Sequence, residues 1–309
     1  MRFTVVTTTK NECPYMLEWI AHYRVLGFDD IVVITNDNTD PSLELYQALA
    51  QAGYIRFYPH VVPRTQRPQK NAYQIAVREV VQPLKDGSAD GSEFILTADA
   101  DEFLFVNGSN NIAQLGEFLD TADAMFINWK CYGSQGYETR PAGLVMEAYN
   151  KRGTDGFRGN KAIKSFFRVL PTLESFTAHF PIYSDSPSRK FIWSDGEIAD
   201  NSIIGSESYK LHARAVFGKA YIRHYSIKSA EEYRDRQARG RPAVSANRAH
   251  ERPRYTDEYF NIMDQNSVND PVEQAHIQQV REVMEQMYYD NSLWRHHDLF
   301  LGSYFGLAD

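Results

Sequence analysis

Short apolar runs alternate with amphipathic segments over about the first 130 residues of the chain. The runs are rich in β-branched residues and predict strands at Phe3–Thr9, Ile31–Thr35, Tyr54–Tyr58, Phe94–Ala98 and Ala124–Trp129. The segments between them predict helices at Tyr15–Leu26, Leu43–Ala52 and Asn71–Val81. Strands that alternate with helices through short connections favour an α/β fold, with a mostly parallel sheet flanked by helices.

The regular alternation fades after the fifth predicted strand. Gly133–Gly159 is rich in Gly and Tyr and predicts loops, whereas Ala162–Val169 and Tyr221–Ile227 resemble strands. Helices are predicted at Ala230–Arg239 and at the amphipathic stretch Pro271–Tyr289. We therefore expect a regular first half, an irregular second half and C-terminal helices.

Three carboxylates interrupt two apolar runs within Phe94–Phe105. Asp99, Asp101 and Glu102 directly follow the fourth predicted strand, and an open α/β sheet binds ligands at the carboxyl ends of its strands. Carboxylates crowded in this way repel one another, so we expect a positive charge among them, best supplied by a hard divalent cation. The alternative is a pair of loop carboxylates that cap the next helix.

Other acidic motifs fit this stretch less well. An EF-hand counted from Asp99 would need Gly at position 104 and Glu at position 110, where the chain has Leu104 and Asn110. A Walker B motif needs a Walker A motif, which is absent. The aspartyl-phosphatase motif has Thr or Val where this chain has Phe103.

Other polar groups follow the predicted strands. The loop that contains Asn36 and Asp37 is either a hydrogen-bonded turn or a site for a ribose or base, and Lys10–Glu12 has the same two interpretations. His224 is either a structural histidine or an imidazole ligand that fills a metal coordination position. Lys228 and the Arg239-Gly240-Arg241 run carry donors suited to phosphate oxygens.

Composition narrows the class of protein. The 309 residues carry a net charge of −7, which argues against general nucleic-acid binding. Lys210–Arg254 nevertheless contains twelve Lys/Arg and four Asp/Glu. This basic segment is either a solvated surface or a surface that faces phosphates or an anionic membrane. Under the second alternative, we expect the segment to contact a membrane peripherally.

The location of the protein is predicted from cysteine usage and from targeting signals. Cys13 and Cys131 show neither a CxxC motif nor metal-ligand spacing, which favours a reducing compartment. The N-terminal residues contain no long apolar region typical of a signal peptide, and no apolar stretch approaches the roughly 20 residues that span a bilayer. We expect a cytoplasmic protein, and association with a membrane surface stays an open alternative.

Taken together, these motifs resemble those of glycosyltransferases with the GT-A fold. They are most similar to the glycosyl transferase family 2-like group related to glycosyltransferase family 92. The matching stretches run in order along residues 4–241: Thr9–Glu12, Leu17–Ile20, His22–Tyr23, Leu26–Asp29, Asn36–Asp40, Asp99–Leu104, Asn128–Lys130, Tyr132–Gly136, Lys161, Ser165, His224–Glu232 and Arg239–Gly240. The resemblance implies a Rossmann-like GT-A domain over 1–241, with a nucleotide-sugar-binding half (1–130), an acceptor-side half (131–241) and a helical extension (242–309).

The resemblance also implies roles for individual residues. Thr8, Glu12 and Asn36 would line the nucleoside pocket. Asp99 would lie near the ribose or a metal-bound water, and Asp101 would bind Mn²⁺ or Mg²⁺ together with the donor diphosphate. His224 would complete the metal site. Members of the group often carry Asp where this chain has Thr35, so the nucleoside contacts differ here.

The implied reaction is the metal-dependent transfer of a hexose from a UDP-sugar to a glycan or glycolipid acceptor, with inversion. An inverting enzyme needs a base for the acceptor hydroxyl, and Asp195 and Glu197 beside Trp193 are the candidates, with Glu138 as a weaker one. Trp193 is either a floor for a sugar ring or a core residue. The alternatives are a sugar-nucleotide-forming nucleotidyltransferase, although the loop Thr7–Asn11 lacks the expected glycines, and a non-catalytic carbohydrate-binding protein.

Overall fold

A computed structural model describes residues 1–87, 93–200, 214–239 and 255–290. The strands are β1 (Arg2–Thr9), β2 (Asp30–Asn36), β3 (Arg56–His60), β4 (Glu93–Thr97), β5 (Glu102–Val106), β6 (Ala124–Cys131), β7 (Lys151–Arg152), β8 (Ile163–Arg168), β9 (Leu173–Phe176), β10 (Pro181–Tyr183), β11 (Phe191–Trp193), β12 (Ala220–His224) and β13 (Val268–Asn269). The helices are α1 (Cys13–Val25), α2 (Ser42–Gln51), α3 (Pro68–Ala76), α4 (Gln82–Gly87), α5 (Ala113–Phe118), α6 (Val145–Ala148), α7 (Ala230–Arg239), α8 (Asp257–Met263) and α9 (Gln274–Asp290).

One large sheet organises the described part of the chain. Its strands lie in the order β3-β2-β1-β4-β8-β6-β12-β5, and β11 pairs with β6 outside this path. The β3-β2-β1-β4 half is parallel, whereas β8 runs antiparallel to both β4 and β6. The predicted class, a mostly parallel α/β sheet flanked by helices, is confirmed and agrees with a Rossmann-like GT-A fold.

Alternating side chains of the parallel strands supply a core on each face of the sheet. In β1, Val5 packs into the core beneath α1, α2 and α9, whereas its neighbour Val6 packs into the core beneath α3. In β4, Leu96 packs into the same core as Val5, and Ile95 packs into the same core as Val6. Apolar residues on both faces are what a sheet covered on both sides requires, and they explain the continuous apolar runs in the sequence.

Helix α1 begins and ends where the sequence predicts a helix boundary. Pro14 occupies its first turn, where the missing N–H is not needed, and Gly27 follows its end with φ +92°. Almost every side chain of α1 from Met16 to Tyr23 is buried, because the helix lies between the sheet and α9. The C-terminal helix α9 therefore shares a core with the first helix of the chain.

Several elements were not predicted. Strand β5 follows the acidic cluster at once, and the β9–β10 hairpin and β11 fall where no strand was expected. The predicted strand Tyr221–Ile227 ends earlier, at His224, and the chain then turns through Lys228, whose φ is +53°. These strands are short or pair with distant segments, so the local sequence carries little periodicity to indicate them.

The remaining predictions about organisation are tested only in part. The division into residues 1–130, 131–241 and 242–309 stays a prediction. Of the basic segment 210–254, residues 210–213 and 240–254 lie outside the described part of the chain. None of the helices that the structure describes is long and apolar enough to cross a bilayer.

Candidate functional site

A cleft of about 810 Å³ opens at the carboxyl ends of β1, β2 and β4. The side chains that line it come from these strand ends, from α3 and α7, and from the β9–β10 hairpin. Seven of the residues predicted to form the site line this one cleft: Thr8, Glu12, Asn36, Asp37, Asp99, Asp101 and His224. Residues that lie far apart in the sequence are thus brought to the same sheet edge.

The acidic cluster is a tight turn that α1 supports from behind. The Glu102 N–H donates to the Asp99 carbonyl at 3.0 Å, and the Asp99 N–H donates to Oε2 of Glu102 at 2.8 Å. Trp19 Nε1 donates to the carbonyls of both residues at 3.0 Å, and the Tyr23 hydroxyl donates to the Glu102 carbonyl at 3.1 Å. These bonds satisfy the buried backbone of the turn and fix the direction in which its carboxylates project.

Lys164 supplies a positive charge within this cluster. Its ammonium is fully buried on β8, 3.0 Å from Oε2 of Glu102 and 3.2 Å from Oδ2 of Asp99. Burial opposes its charge, but the two carboxylates outweigh burial and raise the Lys164 pKa. Burial, with Asp99 and Asp101 close by, raises the pKa of Glu102 to about 8 even though Lys164 opposes this shift. The cluster therefore holds a lysine cation against carboxylates of unequal acidity.

Asp101 faces two further basic groups. Its Oδ2 forms an ion pair with Nη1 of Arg236 on α7 and lies 3.6 Å from Nε2 of His224. Burial disfavours the Asp101 carboxylate, but Arg236 and His224 outweigh burial and hold its pKa well below the usual range. Asp101 is therefore ionised and is buried next to a cation, at the end of a parallel strand.

Asp101, Glu102 and His224 form a group of candidate metal ligands. One ligand atom from each lies within 4.8 Å of the others, and all three side chains are buried. Within the described residues, Oε1 of Glu102 has no hydrogen-bond partner. Two carboxylates and an imidazole form a donor set that Mn²⁺ or Mg²⁺ accepts, so the residues fit such an ion. The ion and Arg236 would compete for the Asp101 carboxylate.

Asp99 occupies a different position from the other predicted metal ligands. It lies outside the group formed by Asp101, Glu102 and His224. Its carboxylate is partly exposed to the cleft and pairs with Lys164. This position is compatible with a contact to a ribose or to water. The assignment of Asp99 to the metal stays a prediction.

Helix α7 places two arginines at the cleft. Arg239, one turn after Arg236, pairs with Oε1 of Glu12 at 2.7 Å and donates to the carbonyls of Lys10 and Asn11. Glu12 follows β1, as Asp101 follows β4. The two arginines therefore bind the acidic ends of two strands, and both also line the cleft.

Lys228 lies behind the main cleft. It lines a neighbouring cavity of about 90 Å³ together with Arg236 and Arg239, and its ammonium lies 4.0 Å from the centre of the Tyr15 ring. Burial lowers the Lys228 pKa, although Glu232 and Glu12 oppose the shift. Arg236 and Arg239 line both cavities, whereas Lys228 lines only the smaller one, and two arginines at the main cleft suit an anionic ligand.

Polar groups at the end of β2 form the other side of the cleft. Asn36 Nδ2 donates to Oδ2 of Asp37 at 2.9 Å, and Asp37 has a φ of +47°. Thr35, which stands where the resembling proteins often carry Asp, donates its hydroxyl to the Thr9 carbonyl at 2.9 Å. This hydrogen bond links β2 to β1, so the Thr35 hydroxyl stabilises the edge of the sheet.

The predicted bases are not among the residues that line the cleft. Asp195 pairs with Arg214 at 3.0 Å, and Glu197 pairs with the same guanidinium. Trp193 is buried in the core against Phe126. Neither cavity includes Asp195, Glu197 or Glu138 in its lining. The role of these carboxylates stays a prediction.

The structure adds site residues that the sequence did not single out as functional. Lys164 and Arg236 neutralise the acidic cluster, and Trp129 and His179 line the cleft. The Trp129 ring lies 4.0 Å from the His224 ring, centre to centre. Lys164 in the predicted strand Ala162–Val169 was a usable signal, because a strand interior rarely buries an ammonium without a partner.

Comparisons with known proteins assign no family. No family model and no curated protein matches the chain. Residues 1–349 of Staphylococcus aureus TarS match with 14% identity over 97% of this chain and 75% of that chain, at a TM-score of 0.40. The same fragment in complex with UDP gives 12% identity, the same coverage and a TM-score of 0.39. HddC from Yersinia pseudotuberculosis gives 11% identity over 62% of this chain and 91% of that chain, at 0.33. These values are too low to assign an activity.

Proposed function

We propose that this protein is a metal-dependent glycosyltransferase that moves a hexose from a UDP-sugar to a glycan or glycolipid acceptor with inversion. One observation carries the proposal. The polar ends of β1, β2 and β4 meet a potential metal-binding group and two arginines in a single cleft. In an open α/β sheet this edge is where nucleotide ligands bind.

The charges in the cleft suit a diphosphate donor. When the glycosidic bond to the phosphate breaks, negative charge develops on the departing nucleoside diphosphate. Arg236 and Arg239 line the cleft and would bind phosphate oxygens from the α7 side, with Lys228 adding positive charge from the neighbouring cavity, and Asp101, Glu102 and His224 would hold Mn²⁺ or Mg²⁺. A divalent ion bound there would act as a Lewis acid on the diphosphate.

The donor would lie across the cleft. Thr8, Asn36 and Asp37 are available to the nucleoside at the β1–β2 edge, with Glu12 nearby. Asp99 is available to the ribose, and its pairing with Lys164 keeps this carboxylate oriented. The donor sugar would then face Trp129 and the β9–β10 hairpin, where aromatic and apolar groups supply a surface for a sugar ring.

A thermal-shift panel of nucleotide sugars, each with and without Mn²⁺, tests the proposal. A ligand that binds the native state raises the melting temperature, so a UDP-sugar with Mn²⁺ is expected to give the largest rise. Product analysis then separates the reaction classes. A glycosyltransferase releases UDP from a UDP-sugar, whereas a nucleotidyltransferase releases pyrophosphate from UTP and a sugar 1-phosphate. The absence of both binding and UDP release would contradict the proposal.

A further inference from the structure

The turn Thr177–Phe180 between β9 and β10 holds His179 at the edge of the cleft. The Thr97 hydroxyl on β4 donates to the Ala178 carbonyl at 3.2 Å, and the Ser165 hydroxyl on β8 donates to the His179 carbonyl. The His179 N–H donates to Oγ1 of Thr177 at 3.1 Å. Hydrogen bonds to two sheet strands and within the turn fix the backbone, so the imidazole is carried by a supported segment.

The His179 ring has a defined tautomer. Its Nδ1 lies 2.8 Å from the carbonyl oxygen of Ile163. A carbonyl oxygen only accepts hydrogen bonds, so Nδ1 carries the hydrogen, and in the neutral ring Nε2 carries the lone pair. A carbonyl that orients an imidazole in this way is the arrangement found where the other ring nitrogen acts as a base or a ligand.

The His179 ring and the candidate metal ligand His224 both contact the Trp129 ring. His179 and Trp129 have ring centres 6.3 Å apart, and Trp129 and His224 have ring centres 4.0 Å apart. The two imidazoles are thus separated by at most about 10 Å, and all three residues line the cleft. A donor whose diphosphate lies near His224 would place its sugar over Trp129, beside His179.

We infer that His179 is the general base that deprotonates the acceptor hydroxyl, an assignment that rests on the proposed function. The hydroxyl proton passes to Nε2 while the hydroxyl oxygen forms a bond to the anomeric carbon of the donor sugar. The bond from that carbon to the phosphate oxygen breaks, and its electron pair leaves on the nucleoside diphosphate.

His179 was not among the bases predicted from the sequence, which were all carboxylates. Asp195 and Glu197 pair with Arg214 and do not line the cleft, whereas His179 does. A positioned base contributes about 10²–10⁴-fold to a rate. Loss of the imidazole is therefore expected to reduce turnover by at least about 100-fold. Donor binding should stay nearly unchanged, because His179 is not among the groups proposed to hold the diphosphate.

The test uses UDP release from UDP-glucose, UDP-galactose and UDP-GlcNAc with Mn²⁺, first with water and then with free sugars as acceptors. His179→Asn keeps an N–H for the Ile163 carbonyl at the position of Nδ1 and is expected to lose at least about 100-fold in turnover, with a calorimetric UDP affinity within about 3-fold of wild type. His179→Ala should be inactive and should regain activity when imidazole is added. A purely structural role would not give this chemical rescue.

Three comparison variants make the outcome decisive. Ser165→Ala removes an anchor of the turn but keeps the imidazole, and it should retain turnover within about 3-fold. Asp195→Asn and Glu197→Gln should also retain turnover. Wild-type turnover in His179→Asn, or a 100-fold loss in Asp195→Asn or Glu197→Gln instead, would overturn the assignment of His179 alone. Failure of the wild-type protein to bind any of the three donors would overturn the proposed function, and the base with it.

Discussion

Replacement of Arg236 by Gln tests how the acidic cluster is neutralised. Arg236 pairs with Asp101, and their side chains are 18% and 6% exposed. Removal of one partner from a buried ion pair leaves a buried charge without compensation, which costs about 3–5 kcal/mol. We expect the lower end, about 3 kcal/mol, because Arg236 is partly exposed and His224 remains 3.6 Å from the carboxylate. In a chain of this size, that loss corresponds to a melting temperature about 5 °C lower.

The same substitution should strengthen metal binding. Without Arg236, the Asp101 carboxylate no longer has a competitor for Mn²⁺, and the ion replaces the missing positive charge. Mn²⁺ at 100 times its dissociation constant would return about 2.7 kcal/mol, so it should restore most of the lost stability. The assay is differential scanning fluorimetry in EDTA and in a Mn²⁺ series, with Mn²⁺ affinity measured independently by electron paramagnetic resonance.

Arg239→Gln is the matched control. Arg239 lies one turn further along α7 and pairs with Glu12 rather than with Asp101. Its loss should lower stability without making Mn²⁺ more stabilising than in the wild type. The reasoning is refuted if Arg236→Gln is as stable as the wild type in EDTA. It is also refuted if Mn²⁺ stabilises the Arg236→Gln, Arg239→Gln and wild-type proteins equally.

Two further predictions concern stability. Lys164→Met leaves Glu102 and Asp99 without their buried cation and should lower the free energy of unfolding in urea by about 3–5 kcal/mol. The double variant Lys164→Met/Glu102→Gln should recover most of this loss. A double variant as unstable as Lys164→Met would contradict the pairing. Burial lowers the pKa of His276 to about 4, so its contribution is complete above about pH 6.5 and is lost as the pH falls towards 4. The free energy of unfolding should fall by about 2 kcal/mol from pH 7 to pH 5 in the wild type, and by less in His276→Gln. An equal fall in both proteins would refute the role of His276.

The sequence predicts the regular half of the molecule well for a physical reason. Strands buried on both faces must be continuously apolar, so β1, β2 and β4 stand out without any knowledge of their partners. Their order along the chain and the parallel pairing follow from the intervening helices. The position of Asp99 and Asp101 at the sheet edge was therefore accessible from local pattern alone.

The partners of the acidic cluster were not accessible in that way. Lys164 reaches Glu102 because β8 runs antiparallel to β4, and Arg236 reaches Asp101 across more than 130 residues. The expectation of a positive charge was sound, but local sequence does not reveal which distant side chain supplies it. Lys164 and Arg236 supply part of the positive charge that was predicted to come from a metal ion.

The acceptor side shows the same limit. The hairpin that carries His179 consists of strands of four and three residues, too short for a periodic pattern. Asp195 and Glu197 were predicted to be the base because they lie beside Trp193 in the sequence. Proximity in sequence does not determine how far a residue lies from the cleft. Arg214 pairs with both carboxylates, and this contact was visible only in the fold.

The most direct test of the central claim is isothermal titration of UDP into the wild-type protein and the Asp101→Asn variant, each with and without Mn²⁺. The account predicts UDP binding by the wild type that strengthens at least about 10-fold with Mn²⁺, a gain of about 1.4 kcal/mol. The Asp101→Asn variant should lose this gain because a carboxylate ligand is missing. A wild-type protein that binds no UDP in the presence of Mn²⁺ would contradict the account.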